Sequence, residues 1–226
     1  MQKVLIAAAA VAVLVGGWMF YSTNLAPVAT PTPVASETSA ANSATAEAVD
    51  TSAVFEVVIG NPDAPVEIIE YSSFTCPHCA NFNQGVYRQI YDAYVATGQV
   101  RYVKREVYFD AYGLWAGLVA RCGGPDRYSG MIEMLYADQR GWAGQNDGAA
   151  VAASLRRIGR RAGMTDDQMN ACLEDRDMAT AMMETYRVNA DAHGIRSTPS
   201  FVINGTLHSN MSFEEFQRVI AAAQGN

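Results

Sequence analysis

Glu70-Tyr71-Ser72-Ser73-Phe74-Thr75-Cys76-Pro77-His78-Cys79-Ala80-Asn81-Phe82 is the stretch around which the chain is organised. An apolar, β-leaning run, Val66–Tyr71, precedes it, and a helix-period pattern follows it. Cys76 therefore sits where a strand gives way to the first turn of a helix. Backbone N–H groups in that turn lack intrahelical partners, and the positive end of the helix dipole favours an anion. A thiol placed there is pushed toward thiolate, the form that attacks disulfides. Pro77 suits an early helical position, where its missing N–H costs nothing. His78 adds a donor or a positive charge beside the sulfur. Cys79 lies one turn on along the same face, within disulfide reach of Cys76.

A Cys-x-x-Cys pair can also be half of a zinc site, which needs two further ligands. Cys122 and Cys172 are fifty positions apart, and neither His193 nor His208 belongs to a spaced pair. The pair is read as a redox dithiol, with no metal and no cofactor. The 226 residues are 50% hydrophobic and 17% charged, ordinary globular composition for one domain with a sizeable core. The formal charge of −7 makes nucleic acid a poor partner.

Val4–Phe20 carries no charge, follows Lys3, and reads as an export signal. It is longer than the usual signal-peptide core of about 7–15 residues. The nearest small-x-small site, Thr38-Ser39-Ala40, lies far downstream. Residues 1–21 are therefore expected to be a signal sequence or a retained membrane anchor, the anchor being preferred. Lys3 places the N-terminus inside and the remainder outside. Of the 30 residues from 22 to 51, 21 are Ala, Ser, Thr or Pro, with no periodic apolar face. This is a linker, with a flexible span of roughly 30 Å.

The folded domain is expected over 52–226. Val54–Ile59 and Val66–Tyr71 read as strands. One helix from the cysteine motif to about Gly98 has Phe82, Val86, Ile90 and Tyr94 on its buried face. Val100–Tyr108 is a third strand, and strand–helix–strand over this length implies a parallel βαβ unit. Residues 112–193 read as helices broken at Gly123-Gly124-Pro125, at 141–148 and at Gly163. Thr165–Gln168 is a capping box and Gly194 a stop. Met131, Met134, Met178, Met182 and Met183 on these helices are assigned to core rather than to a binding surface. Ser200–Ile203, the turn Asn204-Gly205 and Thr206–His208 form a hairpin. Ser212–Glu215 opens a last helix with Phe213, Phe216, Val219 and Ile220 inward.

This order, with Cys-Pro-His-Cys on the first helix and Thr198-Pro199-Ser200-Phe201-Val202-Ile203-Asn204-Gly205 late in the chain, resembles the DsbA-type thiol–disulfide oxidoreductases over residues 54–226. The resemblance implies an α/β, thioredoxin-like fold with an inserted all-helical subdomain at about 112–193. It makes Cys76 the attacking sulfur and Cys79 its partner in the redox disulfide. His78 then stabilises the thiolate, and Thr198 and Pro199 match a cis-proline loop facing the sulfurs. Glu70 matches a buried acid beneath the site, with Lys104 or Arg105 as its cation. Cys122 and Cys172 resemble a second, structural disulfide found in some relatives. Thr198 departs from the Val of the best-known soluble oxidases, and the tether departs from the freely soluble form.

The implied activity is insertion of disulfides into exported proteins that carry free thiols, by a monomer in the periplasm. A membrane reoxidant of the quinone-linked DsbB type follows from the resemblance. The other readings are a tethered reductase or isomerase serving one client pathway, and a metal-binding chaperone using Cys76, His78 and Cys79.

Overall fold

The computed structural model describes residues 48–225. The anchor expected over Val4–Phe20, and the linker up to residue 47, lie outside the described residues. Among the described residues no helix is long and apolar enough to cross a membrane.

The apolar runs form one sheet: β1 (Val57–Gly60), β2 (Val66–Ser72), β3 (Val100–Glu106), β4 (Ser200–Ile203) and β5 (Thr206–Ser209), in the order β1-β3-β2-β4-β5. β2 and β3 are parallel, as the intervening helical connection requires, and the other pairings are antiparallel. Central strand β2 is almost wholly buried because both faces are covered. Val66 and Ile68 pack with Phe82, Ile90, Phe201, Phe216 and Ile220 on one face. Ile69 and Tyr71 pack with Val103, Ala190 and Val202 on the other. The hairpin turn has Asn204 at φ 42° and Gly205 at φ 83°, left-handed conformations that Asn and Gly tolerate best.

Several elements differ from the sequence reading, among them the third strand, which ends at Glu106 rather than Tyr108. The first strand starts at Val57 rather than Val54. Phe55 is drawn off the sheet edge: its ring packs edge-on against Tyr128, and its carbonyl accepts a 2.8 Å hydrogen bond from Arg121. The helix of the cysteine motif is not continuous. α1 (Pro77–Gln84) ends at Gly85, whose φ −117° and ψ −89° are not helical. α2 (Val86–Ile90) then runs into a π-helical turn, Tyr91–Val95, where the Ala96 N–H reaches back to the Tyr91 carbonyl. The break rotates the apolar face. Tyr87 and Val95 are buried with Phe82 and Ile90, whereas Val86 and Tyr94 are only half-buried. Gly98, at φ 78°, terminates the segment.

The helical block comprises α3 (Ala111–Arg121), α4 (Pro125–Ala137), α5 (Gln139–Ala143), α6 (Gly148–Arg161), α7 (Asp166–Glu174) and α8 (Arg176–Ala192). Its core includes Met131, Leu135, Trp142, Val151, Leu155 and Ile158. The segment read as a break at 141–148 begins inside α5, which Trp142 anchors by complete burial and a 2.8 Å hydrogen bond to the Leu135 carbonyl. Asp175 makes a further break by capping α8 through the Met178 N–H. Met131 and Met182 are core, but Met183, the next residue of α8, is exposed. α9 (Phe213–Ala223) closes the chain with Phe216 and Ile220 fully buried.

The block is tied to the sheet by a buried ion pair. Arg121 grips Glu106 at the end of β3 with two hydrogen bonds of 2.9 and 2.6 Å, and the Tyr128 hydroxyl donates to the same carboxylate at 2.6 Å. Within the block a disulfide joins Cys122, at the end of α3, to Cys172 in α7, with Cα atoms 5.7 Å apart and a sequence separation of 50. Closing a loop of this length removes about 4 kcal/mol of unfolded-chain entropy. Replacing both cysteines by Ala is expected to lower unfolding free energy by about 2–4 kcal/mol in a denaturant titration. The active-site pair is kept reduced in both proteins for this comparison.

Candidate active site

The turn Ser73–Cys76 closes with the Cys76 N–H on the Ser73 carbonyl, 3.2 Å. Cys76 is then the N-cap of α1, extended at φ −80°, ψ 118°, with Pro77 following at the first helical position. Its carbonyl starts the helix by accepting from the N–H groups of Cys79 and Ala80, at 3.1 and 3.2 Å. Ordinarily a side-chain oxygen at the N-cap would satisfy the free N–H groups of the first turn. Here Cys76 holds that position, and its side chain makes no capping hydrogen bond.

The two cysteines are unbonded thiols in contrasting surroundings: Cys76 is half-buried and Cys79 fully buried. The Cys76 sulfur lies 3.5 Å from the Thr198 carbonyl, to which it donates when protonated. The Thr198–Pro199 peptide is cis. The Cys79 thiol, donating to the Cys76 sulfur, does most to pull the Cys76 pKa down to about 5. Burial opposes this, while the Thr198 hydroxyl and the backbone N–H groups of Cys79 and His78 add to it. The same thiol–thiolate bond, with burial second, drives the Cys79 pKa far up. One sulfur is thus held as thiolate at neutral pH and the other as thiol. Pro77 and His78 are exposed, and it is the backbone N–H of His78 that contributes to the lowered Cys76 pKa.

Glu70 is completely buried on the α1-facing side of β2. The parallel register sets it opposite Lys104, which answers the choice of cation. Lys104 Nζ donates to Glu70 Oε2 at 2.6 Å, and the Tyr102 hydroxyl donates to the same oxygen at 2.8 Å. Lys104 also lies 3.9 Å from the centre of the Tyr87 ring, which stabilises a desolvated ammonium. Arg105 turns to the opposite face, where it pairs with Glu56 at 2.7 Å. Glu70 Oε1 has no hydrogen-bond partner among the described residues.

Three contacts to the cysteine loop were not read from sequence, and all come from the helical block. Asp110 caps α3 through the Gly113 N–H and accepts from the Thr75 hydroxyl at 2.7 Å. The Tyr136 hydroxyl donates to the Ser73 carbonyl at 3.3 Å. The Gln139 amide donates to the carbonyls of Phe74 and Cys76 at 2.7 and 2.9 Å. Asp110 carries a sequence signal, an N-cap residue ahead of an apolar helix. Gln139 carries none. Among the described residues no cluster of three or more His, Cys, Asp or Glu side chains is placed to hold a metal ion.

A thioredoxin-like sheet interrupted by a helical block, with a Cys-x-x-Cys at the first helix and a cis-proline loop against its sulfur, defines the DsbA architecture. A family model described as thioredoxin matches residues 52–222. The chain belongs to the thioredoxin family, in its DsbA-type form. It is 29% identical over 170 residues to a Rickettsia bellii protein named "Putative protein-disulfide oxidoreductase", covering 74% of this chain and 64% of that protein. The chain thus spans a little under two thirds of the length of that relative. It is similar to Wolbachia pipientis alpha-DsbA1, with a TM-score of 0.69 and 25% identity over 75% of this chain and 91% of that one. The fold also matches oxidised BdbD of Bacillus subtilis, with a TM-score of 0.67 and 19% identity over 76% of this chain and 94% of that one.

The Glu70–Lys104 pair yields a stability test. Lys104→Met strands a buried carboxylate and is expected to cost about 3–5 kcal/mol in chemical denaturation. Replacing both partners by Leu and Met should cost clearly less, because no uncompensated charge remains.

Proposed function

We propose that the protein is a thiol–disulfide oxidoreductase of the cell envelope that introduces disulfides into exported proteins through the Cys76–Cys79 pair. The observation that carries this reading is the placement of two adjacent free thiols, Cys76 half-buried at the N-cap of α1 and Cys79 fully buried one turn on, which lowers the first pKa to about 5 and raises the second. In the oxidised enzyme a substrate thiolate attacks the Cys76 sulfur. A Cys76–substrate disulfide forms, the Cys76–Cys79 bond breaks, and Cys79 leaves and takes up a proton. The second substrate thiolate then attacks the substrate sulfur of the mixed disulfide and expels Cys76 as thiolate. Two electrons pass from substrate to enzyme. A leaving group with a lowered pKa departs faster and draws the exchange toward substrate oxidation.

In this reading Thr198 offers its backbone to an extended substrate chain beside the sulfurs, and Pro199 fixes that loop. Glu70 serves as the buried acid that exchanges the Cys79 proton or tunes its pKa. His78 adds to thiolate stabilisation, and the Cys122–Cys172 bond is structural. The residue 4–20 segment tethers the domain to the inner membrane on the periplasmic side, and a quinone-linked DsbB-type protein reoxidises the pair. Support comes from the uncharged N-terminal run and from the family match. The protein works as a monomer.

Cys76→Ser is expected to abolish catalysed insulin reduction by dithiothreitol. Full activity in that variant would sink the assignment. The reduction potential, measured by equilibration with glutathione, has a prescribed pH dependence. Above about pH 5, reduction takes up one proton, at Cys79, for two electrons, because Cys76 stays ionised. The potential should therefore fall by about 30 mV per pH unit there. Below about pH 5 both sulfurs are protonated on reduction and the slope should double. At pH 7 a value well above thioredoxin's, about −270 mV, supports the donor direction. A value near or below it would mean a pair held reduced in its working state.

A further inference from the structure

We propose that Gln139 is a positioning residue for the Cys76 sulfur, acting through the backbone of the loop that carries it. The inference rests on Cys76 being the reactive sulfur of the proposed function. Gln139 is a buried polar residue, 6% exposed, at the start of α5. Its amide nitrogen has two hydrogens and uses both: one donates to the Phe74 carbonyl at 2.7 Å, the other to the Cys76 carbonyl at 2.9 Å. These carbonyls bracket Thr75, so one rigid planar group sets two of the peptide planes leading into α1.

The Cys76 carbonyl is a junction. It also accepts from the Cys79 and Ala80 N–H groups that begin the helix. Three donors therefore fix its direction, one of them from outside the loop. Fixing it fixes the Cys76–Pro77 peptide plane, and with it the angle at which the first turn meets the Cys76 side chain. The His78 and Cys79 N–H groups that help lower the Cys76 pKa belong to that turn. Without the amide, the N-cap peptide keeps only its own helix's donors and can rock about Pro77. Trp142, fully buried three residues on, keeps α5 from following such a movement. The helical insertion thus does more than flank the site: it holds the N-cap of the reactive helix.

The test is thiolate absorbance at 240 nm, titrated against pH in the reduced full chain and in Gln139→Met, which keeps length and burial but removes both donors. The Cys76 midpoint is expected to rise by about one pH unit, a roughly tenfold loss in the thiolate-to-thiol ratio. The glutathione equilibrium at pH 7 should move about tenfold toward the protein disulfide, because the reduced form loses that stabilisation. Gln139→Leu repeats the measurement if the Met variant does not fold. A lowered melting temperature with an unmoved midpoint would overturn the proposal, since a purely structural amide changes stability alone. Failure of both variants to fold would overturn it equally, by assigning Gln139 to the fold rather than to the sulfur. A wild-type midpoint near 9 would instead refute the reading of the site itself.

Discussion

The first turn of α1 begins with a His78 N–H that no carbonyl accepts, since the Cys76 carbonyl takes those of Cys79 and Ala80, and the residue at its N-cap is a cysteine. Most helices resolve this with a Ser, Thr, Asp or Asn oxygen. A sulfur does it poorly as a thiol and well as a thiolate. Ionisation of Cys76 therefore places a negative charge where the first turn and the helix dipole favour one. In the proposed function, oxidation to a disulfide with Cys79 removes that negative charge again. The cost of the oxidised state is set in this one turn, and the surrounding structure keeps the turn in place.

Two buried ion pairs on β3 show how. Lys104 and Glu106 are two residues apart, and strand alternation puts both on one side of the strand. Lys104 turns to Glu70 on the neighbouring strand β2. Glu106 reaches instead to Arg121 on α3. One pair couples neighbouring strands beneath the reactive helix, and the other couples the sheet to the helical block. Buried pairs of this kind add little net stability over apolar replacements of the same shape. Each charge, however, has one geometry in which it is compensated, so they fix register and docking.

The parts legible in the sequence are those whose cause is local. Ser212 and Glu215 cap each other, as do Thr165 and Gln168, and these helix starts follow from four residues each. Asn204-Gly205 makes its hairpin because those residues accept positive φ. Cys-Pro-His-Cys and Thr198-Pro199 announced the site through a family resemblance. What stayed hidden had a distant cause. Gly85 breaks a helix whose apolar spacing is continuous, because Tyr87 and Val95 must turn into the core beneath it. Phe55 leaves the sheet for Tyr128, 73 positions away. The choice between Lys104 and Arg105 needed the register of β2 against β3. Gln139 sits in an unremarkable polar stretch, and only packing of the insertion brings its amide to the loop.

On the proposed function, the Cys76 sulfur must be fixed and reachable at once. Residues far apart in the chain meet this condition by approaching Cys76 from different directions. Thr198, 122 positions later, supplies a carbonyl and a hydroxyl beside the sulfur. Cys79 fills the buried side and keeps its proton there. Gln139, 63 positions later, holds the carbonyl behind the sulfur, while Asp110 and Tyr136 hold Thr75 and Ser73. The remaining approach is bordered by the exposed residues Pro77 and His78. Inserting a helical block between β3 and β4 therefore has a chemical consequence. It lets the turn that carries Cys76 be clamped from behind by side chains that the five-stranded core alone does not possess, while the face bordered by Pro77 and His78 stays free of them.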